Sequence, residues 1–176
     1  MAGWFNRTVF PFCLALKARG IACFTPDYRV SSRQGTYPID ALHDAQSAYQ
    51  WLISKADKFG VDKSHIYVGG GSAGGHLAAS VTLLPNKSIT QAPDGMLLFN
   101  PAVDIGCSSR IQGLFRNQAE QYSPIKFVRP SLPSAWIVHG TADKIVPHST
   151  VVDFCQRMKL AGNQCELTSF DDAGLG

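Results

Sequence analysis

Twelve consecutive residues constrain the fold of this chain more than any others: Ile66-Tyr67-Val68-Gly69-Gly70-Gly71-Ser72-Ala73-Gly74-Gly75-His76-Leu77. An apolar run too short for a helix enters a glycine cluster, and a helical pattern leaves it and extends to about Leu84. A strand that turns directly into a helix belongs to a parallel sheet, because the crossover must carry the chain back before the next strand can pair. Within the run, Gly70, Ser72 and Gly74 match G-x-S-x-G, the pattern of a nucleophile elbow. The serine of such a turn sits at a sharp, strained junction, and side chains two positions to either side are expected to collide with their neighbours. Ser72 is then expected at the head of a helix. The backbone N–H of Ala73 would point at negative charge developing on an attacked carbonyl oxygen.

A rival pattern shares these letters, because Gly69, Gly71 and Gly74 also spell G-x-G-x-x-G. A dinucleotide fold wants an acidic residue at the end of the next strand to hold a ribose. Asp94 precedes that strand, which ends Phe99-Asn100-Pro101 without an acid, and no lysine follows the glycines as a Walker A loop requires. The nucleophile turn is the favoured reading; a nucleotide-binding domain and a purely structural glycine turn are its alternatives.

Short apolar runs at Ile21–Phe24, Ile66–Val68, Met96–Phe99 and Ala135–Val138 read as strands covered on both faces, and Cys165–Phe170 as a strand nearer an edge. Helical spacing links Ala41, Ala45, Ala48, Tyr49, Leu52, Ile53 and Ala56, and again Val151, Phe154, Cys155 and Met158. Pro38 and Asp40 suit the start of the first of these helices and Gly60 its exit, while Gly162-Asn163 ends the last. The alternation predicts an α/β fold: a mostly parallel sheet with helices on both faces, in one domain spanning 1–176. Between Asn100 and Pro133 the periodicity fades into a proline-bearing stretch, expected to be a lid-like or pocket-forming insert. Phe115, Tyr122 and Phe127 are its candidate lining residues.

Composition narrows the partners. The net charge of +3, from 16 basic against 13 acidic groups scattered singly, gives no surface for nucleic acid. With 176 residues, 45% of them hydrophobic, the chain can bury roughly 70% of its unfolded surface. The stretch Val9 to Leu16 contains Pro11 and is too short to span a bilayer; it reads as an amphipathic helix rather than an export signal. Cys13, Cys23, Cys107, Cys155 and Cys165 are odd in number, widely spaced and without a C-x-x-C pair. That argues against a disulfide framework or a zinc site, and for a reducing, cytoplasmic setting.

An activated serine needs an acid and a base, in the chain order Ser, then Asp or Glu, then His. Asp143 lies in the loop after the strand ending at Val138, where catalytic groups of parallel sheets collect, and is the candidate acid. Asp104 is a poorer candidate, since its strand lies beside the nucleophile strand. Asp171 and Asp172 follow the last strand, where the histidine belongs.

Taken together, Gly69 to Leu77, Val138-His139-Gly140-Thr141-Ala142-Asp143 and Ile145-Val146-Pro147 resemble the esterase and lipase branch of the α/β-hydrolase superfamily. The likeness is to its hormone-sensitive-lipase-like and acetyl-esterase groups. Asp27-Tyr28-Arg29, Ser123-Pro124 and Phe170-Asp171-Asp172-Ala173-Gly174 extend the resemblance over nearly the whole chain. It implies a serine hydrolase of short-chain carboxylic esters, with a small-molecule substrate and no cofactor or metal.

Two departures fall on the machinery. Where the family reads D-A-G-H-G, this chain reads Asp172-Ala173-Gly174-Leu175-Gly176, so leucine stands at the position of the general base. Where the family carries H-G-G-G-W, only Met1-Ala2-Gly3-Trp4 is present, as the tail of that motif. Both ends therefore lead us to expect a fragment lacking N-terminal strands, with an open sheet edge through which copies could associate. His43, His65, His76, His139 and His148 are each expected to play local structural roles rather than replace the base. Activity is expected to be impaired, and a non-catalytic hydrolase-like binding protein is the alternative.

Overall fold

The computed structural model describes residues 10–116 and 118–174. Met1–Trp4 and Leu175, on which two expectations rest, lie outside the described residues. Four strands, β1 (Tyr67–Gly71), β2 (Gly95–Phe99), β3 (Ser134–Gly140) and β4 (Cys165–Phe170), form one sheet in the order β1-β2-β3-β4. All three pairings are parallel, with Gly71 opposite Phe99, Phe99 opposite Val138, and Gly140 opposite Phe170. This register brings the strands' carboxyl ends together, so the loops that follow them meet along one side of the sheet.

Seven α-helices accompany the sheet among the described residues: α1 (Phe10–Lys17), α2 (Ser31–Gln34), α3 (Pro38–Lys55), α4 (Ala73–Leu83), α5 (Ser109–Leu114), α6 (Ala119–Tyr122) and α7 (His148–Leu160). Helix α3 starts at Pro38, whose missing N–H costs nothing there, and the Asp40 carboxylate accepts the Tyr37 N–H at 2.9 Å. A 3-10 turn over Ala56–Phe59 follows it, and Gly60 at φ 65° lets the chain leave. Gly162 at φ 79° does the same after α7.

The main core lies on one face of the sheet. Leu77, Ala78 and Leu83 of α4, Leu42 of α3, and Val151, Phe154 and Met158 of α7 meet Met96, Leu98, Ala135 and Ile137 from the strands. On the opposite face α1 brings Phe12 against Phe99, with ring centroids 6.2 Å apart. Helices thus lie on both faces, but unequally. Tyr67, Leu97, Phe99 and Trp136 on the second face remain 37–57% exposed, so the expectation of strands covered on both sides is corrected. Their apolar runs are continuous, yet the contact of α1 through Phe12 leaves these side chains partly exposed.

Three other expectations change. Ile21–Phe24 is not a strand: Ile21 and Phe24 are exposed, and the run takes part in no ladder among the described residues. An apolar run becomes a strand only beside a free edge to pair with. The 100–133 insert is not irregular either, since it carries α5, α6 and 3-10 turns at Ile105–Cys107 and Pro124–Phe127. The cysteines also depart from expectation, because Cys13 pairs with Cys23 and Cys155 with Cys165, each pair ten residues apart. Folding sets Cys155 on the inner side of α7 against Cys165 at the start of β4, with Cα atoms 5.5 Å apart, a spacing a disulfide spans. The cytoplasmic expectation thereby loses its cysteine argument, since paired sulfurs are rare in reducing compartments. No described helix is long and apolar enough to cross a membrane.

Candidate active site

Ser72 stands between the last residue of β1 and the first of α4, at φ 51° and ψ −116°. A non-glycine residue at positive φ is strained, and here neighbouring bonds hold it. The Ser72 N–H donates to the Phe99 carbonyl at 2.8 Å, continuing the ladder, and the Ser72 carbonyl accepts the His76 N–H at 3.0 Å, opening the helix. Ala73 is the first helical residue, so its N–H has no carbonyl one turn earlier to bond.

The glycines around the turn differ in what they permit. A Cβ at Gly70 would lie 2.6 Å from the Gly74 carbonyl carbon, so only glycine fits. One at Gly74 would meet open space, which corrects the expectation that both motif glycines are sterically required. The second close approach belongs to Gly75, where a Cβ would stand 2.8 Å from Pro101. The G-x-S-x-G spacing does not single out Gly75.

Asp143 sits in the loop after β3 and is buried. Its Oδ1 accepts the backbone N–H groups of Ile145 at 2.8 Å and Val146 at 3.0 Å, and its Oδ2 accepts the Asn100 side-chain amide at 3.0 Å. Burial pushes the carboxyl pKa up, but the Val146, Ile145 and Asn100 donors and the nearby His139 ring outweigh it, so Asp143 lies below the usual carboxylate range. The segment after β4 runs alongside. Ala142 N–H donates to the Ala173 carbonyl at 2.9 Å, Asp172 N–H to Thr141 Oγ1 at 3.1 Å, and Thr141 N–H to the Phe170 carbonyl at 2.9 Å. A Cβ on Gly174 would fall 3.8 Å from the Asp143 Cα, so the residue preceding Leu175 packs against the candidate acid.

Four of the five histidine rings bond other groups. His76 is buried and bonds the Tyr122 carbonyl through Nε2 at 2.8 Å. Burial outweighs that carbonyl's pull and pushes its pKa down to about 4. His139 donates from Nε2 to the Val146 carbonyl at 2.9 Å, and burial likewise pushes its pKa down. His148 bonds Ser169 Oγ at 2.8 Å, His65 bonds Asp62 at 2.7 Å, and His43 is exposed on α3. Among the described residues no histidine ring hydrogen-bonds the Ser72 hydroxyl.

Asp104 caps the 3-10 turn at Ile105 through the Gly106 N–H at 2.8 Å, a structural task. Of the candidate lining residues, Phe115 is buried, with ring centroids 5.4 Å from His76 and 5.8 Å from Tyr122. Phe115 and Tyr122 thus fill a small core beneath the insert. Phe127 lines a groove of about 460 Å³ with Leu83, Pro85, Lys126, Val128 and Arg129, at the opposite end of α4 from Ser72. Sequence reasoning passed over Asn100, although its strand-end place before proline and its tolerance of positive φ (here 45°) were the available signals. No described group of His, Cys, Asp and Glu side chains could hold a metal ion.

A strained serine at a strand-to-helix turn, at the aligned ends of a parallel sheet with a buried acid in the loop two strands along, is the arrangement of an α/β-hydrolase fold. Comparison with known families agrees: the model of a family described as alpha/beta hydrolase fold matches residues 11–127. The chain belongs to that family. It is 30% identical to esterase LipC of Mycobacterium tuberculosis, covering 92% of this chain and 46% of LipC. It is 33% identical to an ethyl acetate hydrolase of Pseudomonas putida over half of this chain and 27% of that protein. The chain therefore spans less than half the length of the curated relatives it matches. Among solved structures, the esterase Est2 of the planctomycete Thermogutta terrifontis superposes with a TM-score of 0.89 at 34% identity, over 97% of this chain and 67% of Est2. Est2 has also been solved with propionate and with butyrate bound.

Proposed function

We propose that this chain carries the nucleophile and acid of a serine hydrolase of short-chain carboxylic esters, with turnover impaired by the leucine at position 175. The observation that carries the reading is a strained Ser72 after β1 together with a buried Asp143 after β3, on the same edge of the sheet with β2 between them. Ser72 Oγ attacks the ester carbonyl, and the Ala73 N–H accommodates the oxyanion of the tetrahedral intermediate. Collapse expels the alcohol and leaves an acyl-serine, which water then hydrolyses. Each half-reaction needs a base that takes a proton from the attacking oxygen and an acid that returns it to the leaving one. Asp143 would orient such a base, but leucine cannot carry a proton, and losing this histidine costs on the order of a million-fold in subtilisin.

Substrate size follows from the relatives. Propionate and butyrate occupy Est2, and an ethyl acetate hydrolase is among the similar proteins, which supports acyl chains of a few carbons. The 100–133 insert, which leaves the sheet at Asn100 beside the Ser72 turn, would form a wall of that pocket. The reading includes self-association through the outer edge of β1, whose residues Tyr67–Gly71 carry no charge and no proline to blunt it. A Leu175→His variant assayed on p-nitrophenyl acetate, butyrate and octanoate tests the substrate class. Acetate and butyrate are expected to exceed octanoate, with all turnover lost on adding Ser72→Ala. Turnover that survives Ser72→Ala would refute the assignment.

A further inference from the structure

The three residues that close β2 join the two halves of the site. Phe99 offers its carbonyl to the Ser72 N–H at 2.8 Å, and Pro101 packs where a side chain at Gly75 would stand. Between them, Asn100 donates its backbone N–H to the Val138 carbonyl at 2.8 Å and its side-chain amide to Asp143 Oδ2 at 3.0 Å. Asn100 holds a positive φ of 45°, a strained conformation that asparagine adopts more readily than most residues.

Counting acceptor sites on Asp143 makes the role of that bond specific. An ionised carboxylate offers about four lone-pair directions, two on each oxygen. The Ile145 and Val146 N–H groups fill both on Oδ1. Asn100 takes one on Oδ2, and the other nearby donor, His139 Nε2 at 3.6 Å, gives its proton to the Val146 carbonyl instead. Among the described residues no donor takes the other direction on Oδ2. A triad acid needs one such direction for the N–H of its histidine.

We propose that Asn100 is a positioning residue: its amide locks Asp143 Oδ2 so that a single acceptor direction is left for the base, while its backbone N–H anchors it to β3 and the preceding Phe99 carbonyl anchors the same peptide unit to the Ser72 turn. The inference rests on the hydrolase reading for its purpose, but the Asn100–Asp143 bond can be tested apart from turnover.

The experiment is a carboxyl ¹³C titration of Asp143 in the chain and in two variants. Asn100→Gly accepts the positive φ and removes the donor, while Asn100→Asp keeps the shape and sets a second carboxylate against Oδ2. The Asp143 midpoint should rise by about one pH unit in Asn100→Gly and further in Asn100→Asp. In the Leu175→His background, Asn100→Gly should lower kcat about tenfold with KM unchanged, as expected for loss of an oriented base rather than of substrate binding. An unchanged Asp143 midpoint in Asn100→Gly overturns the proposal, as does a loss confined to KM. If Leu175→His shows no Ser72-dependent turnover while the midpoints move as stated, the hydrolase reading fails and the Asn100 bond stands.

Discussion

A methyl group added at Gly70 would stand 2.6 Å from the Gly74 carbonyl carbon, whereas one at Gly74 would meet nothing within 4 Å. The two motif glycines should therefore respond oppositely to the same substitution. Gly70→Ala forces backbone against backbone and is expected to cost at least about 2 kcal/mol, since neither partner is a flexible side chain. Gly74→Ala relieves a glycine in the first turn of α4 and should be neutral or stabilising by up to about 1 kcal/mol. Urea unfolding of the two variants checks this, and equal losses would contradict the turn geometry. The asymmetry also shows what a motif can convey. The spacing of Gly70, Ser72 and Gly74 announces a strand-to-helix turn, but contact across that turn decides which glycine is indispensable. The partnership of Asn100 with Asp143 was equally illegible, because 43 residues separate them.

Helix α4 is buried from Gly75 to Leu83, and His76 on its second turn is the titratable group most affected by that burial. Its pKa is about 4 in the folded chain against 6.5 unfolded, so between these values the unfolded chain binds more protons. Stability then rises with pH: the contribution is complete above about pH 6.5 and is lost as pH falls toward 4. The loss between pH 7 and pH 5 should be about 2 kcal/mol. A His76→Asn variant, which keeps a donor for the Tyr122 carbonyl, should show a much shallower pH dependence in urea unfolding, and an equal slope would contradict the assignment. Elements of this kind were the most legible in the sequence. The periods of α3 and α7 declare themselves over several turns, and the short apolar runs of β1 to β4 stand out because turn or polar residues bound them. The insert hid its helices because α5 and α6 span only six and four residues, too few for a period to register. Ile21–Phe24 misled for the opposite reason: local apolarity resembles a strand, but pairing depends on an edge that no local signal supplies.

One sheet face carries a full core, while the other presents Tyr67, Leu97, Phe99 and Trp136. An apolar surface of this sort, continuous with the uncharged edge of β1, favours association. Light scattering should therefore show copies associating at micromolar concentration, and Tyr67→Lys, which charges both the edge and the face, should shift the population toward monomer. A monomeric native chain would remove that expectation. The proposed division of labour spans the sheet ends, with nucleophile and oxyanion donor after β1, acid after β3, and leucine at position 175 in place of a proton carrier. Its most direct test is the rate of p-nitrophenyl acetate hydrolysis by the native chain and by Leu175→His, each against its Ser72→Ala control. The native chain should not exceed its control, and Leu175→His should exceed it by about a thousandfold or more. Ser72-dependent turnover in the native chain, undiminished relative to Leu175→His, would show that another group already serves as base.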